Sequence, residues 1–285
     1  MKKWLLALLM EVTLAQAWAL PLPTPDLVQN LLIQGLPTHF TENYDFEGII
    51  ALSNCSGSLV RFTDSRETDL AMVLTNGHCL ENGFLNPGEV VVNEASFRSF
   101  TVLNKSAASL GRVSSTKILY GTMTKTDMAL YQLKETYAQI ASTFNVQPLT
   151  LASDYAETKT DIEILSGYWR RGYTCRHDGL VHKIKEGDWT WEDSIRYSQP
   201  GCETIPGTSG SPIIERGTKV VIGVNNTGNE SGEKCTENNP CEIDPEGKVT
   251  YKKGLNYGQQ TSWIYSCLTP DHQVDLNLPN CRLPK

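Results

Sequence analysis

Short runs of β-forming residues separated by turn residues follow one another along the chain from residue 46 onward. A first series lies at 48–52, 57–62, 71–75, 89–93, 99–103, 117–120 and 127–133, and a second at 161–168, 179–184, 194–198, 212–215, 219–224 and 255–259. Such spacing is typical of all-β sandwiches and barrels. The pattern predicts an all-β fold with two halves of similar size, at about 46–140 and 155–260.

Helical patterns are scarce. Residues 134–154 contain no clear alternating run and are predicted to connect the two halves. The best helical candidate is 261–268, a short amphipathic stretch that carries Trp263. We therefore expect a short C-terminal helix, followed by a tail at 269–285.

The N-terminus has the pattern of a secretory signal peptide. Lys2 and Lys3 precede an apolar core at 4–10, and small residues alternate at 15–19. A membrane-anchoring helix is the alternative, but the apolar run is too short to span a bilayer. The pattern predicts a signal peptide at 1–19 and a secreted or periplasmic protein.

A proline-rich stretch at 20–25 comes next, and it is unsuited to helix or sheet. We interpret 20–45 as a linker or a short pro-segment, and 46–268 as the folded domain. Within this domain we find no internal repeat and no low-complexity tract.

Composition excludes several classes of function. The 285 residues are 40% hydrophobic and 20% charged, which is ordinary for a globular protein. The net charge of −7 and the lack of a long basic run argue against a nucleic-acid partner. No later segment approaches transmembrane length. We expect a monomer with no membrane partner, no nucleic-acid partner and no cofactor.

Eight cysteines form an even set, and an oxidising compartment would allow them to pair. Their number alone does not give the connectivity. A zinc site is the alternative for the closely spaced cysteines, but no histidine lies near them at the required spacing. The sequence therefore predicts disulfides and no metal site.

Three local motifs carry candidate chemistry. The first is Thr75-Asn76-Gly77-His78-Cys79, at the end of an apolar run. The second is Thr126-Asp127-Met128-Ala129-Leu130, in which Asp127 opens a predicted strand. Taken alone, Asp127 could equally be the N-cap of a helix over 128–135.

The third motif, Gly207-Thr208-Ser209-Gly210-Ser211-Pro212, is the most specific. Glycines at these positions allow the backbone to turn its amides toward a bound carbonyl group. A surface turn is the alternative for these six residues alone. The other two motifs precede this one in the order His, Asp, Ser, which favours a nucleophile turn over a plain surface turn.

Together the motifs resemble the trypsin-like serine proteases, and the Gly-Ser-Pro ending resembles the bacterial and glutamyl-endopeptidase-like members. The resemblance implies two six-stranded antiparallel β-barrels and a serine endopeptidase acting through an acyl-enzyme on protein or peptide substrates. The implied catalytic triad is His78, Asp127 and Ser209. The amides of Gly207 and Ser209 would form the oxyanion hole.

The same resemblance implies disulfide pairings. A bridge between Cys55 and Cys79 would pin the loop that carries His78. Cys175 would pair with Cys202 beside the nucleophile turn, as in several bacterial relatives. Apart from the resemblance, the closely spaced Cys235 and Cys241 would bridge an Asn-rich loop, which leaves Cys267 to pair with Cys281 and hold the tail.

Substrate-binding residues are implied by position. Asn226 to Gly228 would pair with the substrate backbone as an added strand, and Gly228 would leave the pocket mouth open. Glu203 falls at the pocket floor, where it would favour Lys or Arg, unless a gap shifts the register and Glu203 is a solvated loop charge. Thr204 matches the glutamyl endopeptidases, but Asn225 stands where they have histidine.

One departure from the family concerns activation. Trypsin-type zymogens have an aspartate before the serine that captures a freed N-terminal amine, and this chain has Thr208 there. We therefore expect activity that does not depend on a buried N-terminal ammonium.

Two other classes of function are alternatives for this sequence. One is a binding protein that keeps the protease fold, because a fold can persist after its catalytic activity is lost. This sequence keeps a candidate for every catalytic part. An exported esterase is the other, but the Gly-x-Ser-x-Gly elbow is absent, and Pro212 with the β-type run after it denies the required helix.

Overall fold

The computed structural model describes residues 44–285, and sixteen strands lie within them. The predicted signal peptide at 1–19 lies outside the described residues, as does the predicted linker up to residue 43. Within the described part of the chain, no helix is both long and apolar enough to cross a membrane.

Six strands of the N-terminal half close into an antiparallel barrel. They are β1 (Ile49–Ala51), β2 (Ser56–Arg61), β3 (Leu70–Thr75), β5 (Ser99–Leu103), β6 (Ser109–Thr122) and β7 (Met128–Thr136). Neighbours pair in the order β1, β2, β3, β7, β6 and β5, and β5 returns to β1. An outer strand, β4 (Val90–Ala95), pairs with β6.

Six strands of the C-terminal half close a second antiparallel barrel. They are β9 (Asp161–Ser166), β10 (Arg171–Glu186), β11 (Trp189–Tyr197), β12 (Pro212–Glu215), β13 (Val220–Gly228) and β16 (Asn256–Gln260). The ring runs β9, β10, β11, β16, β13 and β12, and β12 returns to β9. The prediction of an all-β fold with two six-stranded barrels is therefore confirmed.

Three further strands lie outside these rings. Strand β8 (Leu149–Leu151) pairs in parallel with both β2 and β13, so it bridges the barrels. Strands β14 (Cys241–Ile243) and β15 (Val249–Thr250) form a small hairpin, and β14 pairs with β10. None of these three strands was predicted.

Burial on both faces of the strands joins the two halves. In β3, Ala71 and Val73 belong to one apolar cluster, while Met72 and Leu74 belong to another. The second cluster also contains residues of the other barrel and of the C-terminal tail: Ile214, Val224, Trp263, Val274 and Leu283. One apolar cluster therefore spans both barrels.

The helices differ from the prediction. The only α-helix in the described residues is α1 (Tyr137–Phe144), in the segment predicted as a plain connection. Its N-terminus is a capping box in which Thr136 and Gln139 bond each other's backbone amides. The predicted C-terminal helix is a 3₁₀ helix at Ser262–Cys267.

Four disulfides join the cysteines in the expected pairs: Cys55–Cys79, Cys175–Cys202, Cys235–Cys241 and Cys267–Cys281. No cysteine in the described residues is free. The last bridge anchors the tail, where Leu283 is buried and the Pro284 carbonyl accepts a hydrogen bond from Tyr120.

The β10–β11 hairpin is longer than the sequence suggested, and its end contacts the first barrel. We call residues 186–191 the hairpin tip. Backbone hydrogen bonds join Lys125 N–H to the Thr190 carbonyl (3.1 Å) and Glu192 N–H to the Lys125 carbonyl (2.8 Å). The Trp191 indole donates to the Met123 carbonyl at 3.0 Å. These three hydrogen bonds hold the hairpin of the second barrel against the first barrel.

The capping box gives a first prediction. Thr136→Ala removes the hydroxyl that accepts from the Gln139 amide, so we expect the free energy of unfolding to fall by about 1 kcal/mol. Chemical denaturation measures this. Thr136→Ser keeps the hydroxyl and serves as the control. Equal losses in the two variants would contradict the capping role.

Candidate active site

His78 lies in a 3₁₀ turn, Gly77–Cys79, immediately after β3. The Cys55–Cys79 bridge ties this turn to the start of β2. Gly77 is required by space, because a Cβ there would lie 2.0 Å from the Thr122 carbonyl oxygen. A covalent link and close backbone packing therefore fix the position of the imidazole.

Asp127 immediately precedes β7 and is fully buried. Its Oδ2 lies 2.7 Å from Nδ1 of His78, and its Oδ1 accepts the His78 backbone N–H at 3.1 Å. The side-chain amide of Asn76 donates to the Asp127 carbonyl at 2.7 Å. The carboxylate thus holds both the backbone and the ring of His78. The strand interpretation of 128–135 is correct, and the helix alternative is wrong.

The pKa of His78 reflects opposing effects. Burial alone would lower the pKa of the imidazole, but the Asp127 carboxylate and, more weakly, Glu186 raise it above its ordinary value of 6.5. The net direction is upward because the adjacent negative charges outweigh desolvation.

Ser209 lies in the turn that precedes β12. The flanking glycines have left-handed backbones, with φ of +89° at Gly207 and +79° at Gly210. A Cβ on Gly210 would lie 2.1 Å from the Ser56 carbonyl oxygen, so the turn packs directly on the first barrel. Within the described residues, neither the Gly207 nor the Ser209 amide donates to a protein acceptor. Both amides are therefore available to a bound oxygen atom.

The Ser209 hydroxyl lies in the same cavity as His78 and Asp127. It donates to the Asn226 carbonyl at 3.4 Å, and no hydrogen bond joins it to His78. The structure therefore brings the three predicted catalytic residues to one cavity, with the Asp127–His78 link formed and the Ser209–His78 link not formed.

Thr208 is buried beside the nucleophile turn. Its hydroxyl lies 3.4 Å from the Tyr173 hydroxyl, and its amide donates to the Ile205 carbonyl at 3.0 Å. The position before the serine therefore has a neutral hydroxyl neighbour and presents no carboxylate to an ammonium group.

The predicted substrate-binding residues divide into two groups. Thr204, Asn226 and Gly228 line the cavity. Glu203 is exposed and does not line it, so the expected carboxylate at the pocket floor is a wrong assignment. Thr204, not Glu203, faces inward from this loop, and its hydroxyl donates to Oδ1 of Asn256 at 3.1 Å.

Gly228 does not open the pocket in the expected way. A Cβ at this position would lie 2.0 Å from Oδ1 of Asn256, so the Asn256 side chain fills the space beside it. Asn256 is buried and also donates to the Gly254 carbonyl. A side chain at residue 228 would therefore require the Asn256 side chain to move.

Several lining residues were missed by sequence reasoning. Phe84 stands edge-on to both His78 and Trp189, with ring centroids 5.6 and 5.7 Å away. Glu186 and Trp191 come from the hairpin tip. None of these residues belongs to a motif. The aromatic residues at 189 and 191 are the one sequence signal that β11 begins before residue 194.

The described residues contain one cluster with the composition of a metal site: Cys55, His78 and Cys79. The two sulfur atoms are joined in a disulfide, so neither offers a thiolate. Nδ1 of His78 is engaged by Asp127. These donors do not fit a metal ion.

Comparison with known proteins identifies the family. The trypsin-like peptidase domain matches residues 55–224, which contain all three motifs. Comparison with curated proteins gives no match.

Solved structures include similar chains. The MamO protease domain from Magnetospirillum magneticum is 11% identical, with 78% of this chain and 96% of that chain covered and a TM-score of 0.47. A chymotrypsin from Cellulomonas bogoriensis is 14% identical, with coverages of 76% and 91% and a TM-score of 0.40. A glutamic-acid-specific serine protease is 15% identical, with coverages of 75% and 91% and a TM-score of 0.40.

The family match covers more than half of the chain and includes the histidine, aspartate and serine motifs. The chain therefore belongs to the trypsin-like peptidase domain family and is a serine-type peptidase.

Proposed function

We propose that this protein is an exported endopeptidase that uses His78, Asp127 and Ser209 as its catalytic triad. The observation that carries the proposal is the 2.7 Å contact between Asp127 and Nδ1 of His78, in a cavity that also contains the Ser209 hydroxyl. A buried carboxylate on one ring nitrogen leaves Nε2 as the basic nitrogen of neutral histidine.

Acylation begins when the Ser209 side chain rotates from the Asn226 carbonyl toward Nε2 of His78. His78 takes the hydroxyl proton while Oγ attacks the substrate carbonyl carbon. The developing oxyanion accepts hydrogen bonds from the Gly207 and Ser209 amides, which have no protein acceptor in the described residues. The imidazolium then protonates the leaving amine, and the peptide C–N bond breaks.

Deacylation repeats these steps with water. His78 removes a proton from water as it attacks the ester carbonyl, and then returns the proton to Oγ of Ser209. The carboxylic acid product leaves and the serine is regenerated. Asp127 stays ionised throughout and stabilises the imidazolium.

Export is supported by the covalent structure. Four disulfides in one domain suit an oxidising compartment, because cytosolic reductants keep thiols reduced. The signal-peptide pattern at 1–19 points in the same direction. We propose a secreted or periplasmic location.

The nucleophile is tested by covalent labelling. A fluorophosphonate probe should label the wild type and not Ser209→Ala, and casein cleavage by the variant should fall by roughly six orders of magnitude. Ser106→Ala, at an exposed turn, is the matched control. Labelling of Ser209→Ala at the wild-type rate would exclude Ser209 as the nucleophile, and ester turnover without casein cleavage would favour an esterase.

The pH profile tests the base. Because the His78 pKa is raised, its neutral form is populated only at higher pH, so the acid limb of kcat/KM should lie above pH 6.5. Glu186→Gln removes one of the raising charges and should move this limb to lower pH. The pH profiles of the wild type and of Glu186→Gln are measured with an uncharged peptide substrate. Glu246→Gln, a change at an exposed residue, is the control. A shift to higher pH in Glu186→Gln would contradict this electrostatic account.

Activation is tested by extending the chain. Thr208 offers no carboxylate, so residues added before a processed N-terminus should leave kcat/KM unchanged. Purified proteins with and without the extension provide the comparison. Inactivity of the extended forms, restored by trimming, would show that a free amine is required.

A further inference from the structure

Glu186 is a buried acid in the wall of the active-site cavity. Its side chain is only 7% exposed, and it stands at the end of β10, where the hairpin tip meets the first barrel. Oε1 accepts the Asn238 amide at 2.8 Å. Oε2 is buried and has no hydrogen-bond partner. Burial gives this acid a desolvation cost that its hydrogen bonds offset only in part.

The surroundings of Glu186 are acidic as well. Glu230 and Glu237, both exposed, also line the cavity, as does Asp127. No lysine or arginine lies among the lining residues, and no ion pair of the described residues includes Glu186. Among the lining residues that the structure describes, His78 is the only one that can become cationic. The cavity therefore lacks the counter-charge that a buried carboxylate normally has.

Desolvation raises the pKa of Glu186, and the Asn238 amide together with the nearby Thr227 hydroxyl offsets part of that rise. A cation bound beside the Glu186 carboxylate in the cavity would reverse the effect and hold the carboxylate ionised. Such a cation would gain a charged hydrogen bond in a site largely screened from water.

Substrate geometry indicates where the cation would come from. A peptide paired with Asn226–Gly228 as an added strand directs successive side chains to opposite sides. The side chain of the residue that is cut after would lie toward Thr204 and Gly228. The preceding side chain would then point to the other side, toward His78 and Glu186.

We propose that Glu186, with Glu230 and Glu237 at the rim, selects peptides that carry lysine or arginine at the second residue on the N-terminal side of the cleaved bond. This inference rests on the proposed catalytic role of Ser209 and on strand pairing with Asn226–Gly228. Glu186 acts here as a specificity-determining residue and takes no part in bond breaking.

The test uses pairs of fluorogenic peptides built on a sequence that the protease cleaves. Within each pair, the tested position holds arginine or its uncharged isostere citrulline. Wild-type kcat/KM should favour arginine by about tenfold or more. Glu186→Gln should bring the ratio close to one. Because the ratio is taken within one variant, a general loss of activity does not affect it.

Three comparisons make the test specific. Glu246→Gln, an exposed change outside the cavity, should keep the wild-type ratio. Moving the arginine one residue further from the cut should give a smaller ratio. If Glu186→Gln does not fold, the double variant Glu230→Gln/Glu237→Gln at the exposed rim should still lower the ratio.

Each outcome has a separate meaning. Equal cleavage of both peptides by the wild type, or an unchanged ratio in Glu186→Gln, would overturn this inference while leaving the proposed peptidase function intact. A larger arginine-to-citrulline ratio at the more distant position would refute the placement of the preceding side chain beside Glu186. Failure to cleave any peptide, with no fluorophosphonate labelling, would overturn the catalytic proposal and this inference together.

Discussion

The hydrogen bond between Asp127 and His78 is the interaction on which the candidate site depends. A fully buried carboxylate requires partners, and this one receives both the ring and the backbone N–H of His78. The barrel supplies the geometry: β3 pairs with β7 with Thr75 opposite Ala129, so the residues that follow β3 meet those that precede β7. Strand register in the first barrel therefore aligns the base with its carboxylate.

The nucleophile depends on contacts between the barrels. Ser56 of the first barrel donates through its amide to the Ser209 carbonyl at 2.8 Å and through its hydroxyl to the Gly207 carbonyl at 3.2 Å. From the second barrel, the Asn225 carbonyl accepts the Gly210 amide at 3.0 Å. The turn is thus held from both sides. Gly210 is needed because the Ser56 carbonyl approaches too closely for a side chain at this position.

The strand runs and the histidine, aspartate and serine motifs are contained in short segments, so the all-β class could be predicted from local sequence. The two six-stranded barrels and the Cys55–Cys79 and Cys175–Cys202 pairs were implied by the resemblance to the trypsin-like serine proteases. Local sequence does not determine features that depend on tertiary packing. Glu203 and Thr204 are neighbours, and only the fold determines that Thr204 faces inward. The segment of α1 shows no clear alternating run, and the only local signal of the helix is the capping pair of Thr136 and Gln139.

The hairpin tip adds to the two-barrel fold a charged residue that acts on the catalytic histidine candidate. Glu186 lies far from every motif in the chain, yet its charge contributes to the raised pKa of His78. A cationic side chain bound at Glu186 would cancel part of that charge, and the pKa of His78 would fall again. The histidine would then be neutral, and able to act as a base, at a lower pH in the substrate complex than in the free enzyme. Recognition and proton transfer would thus be coupled through one buried carboxylate, without any change in backbone structure.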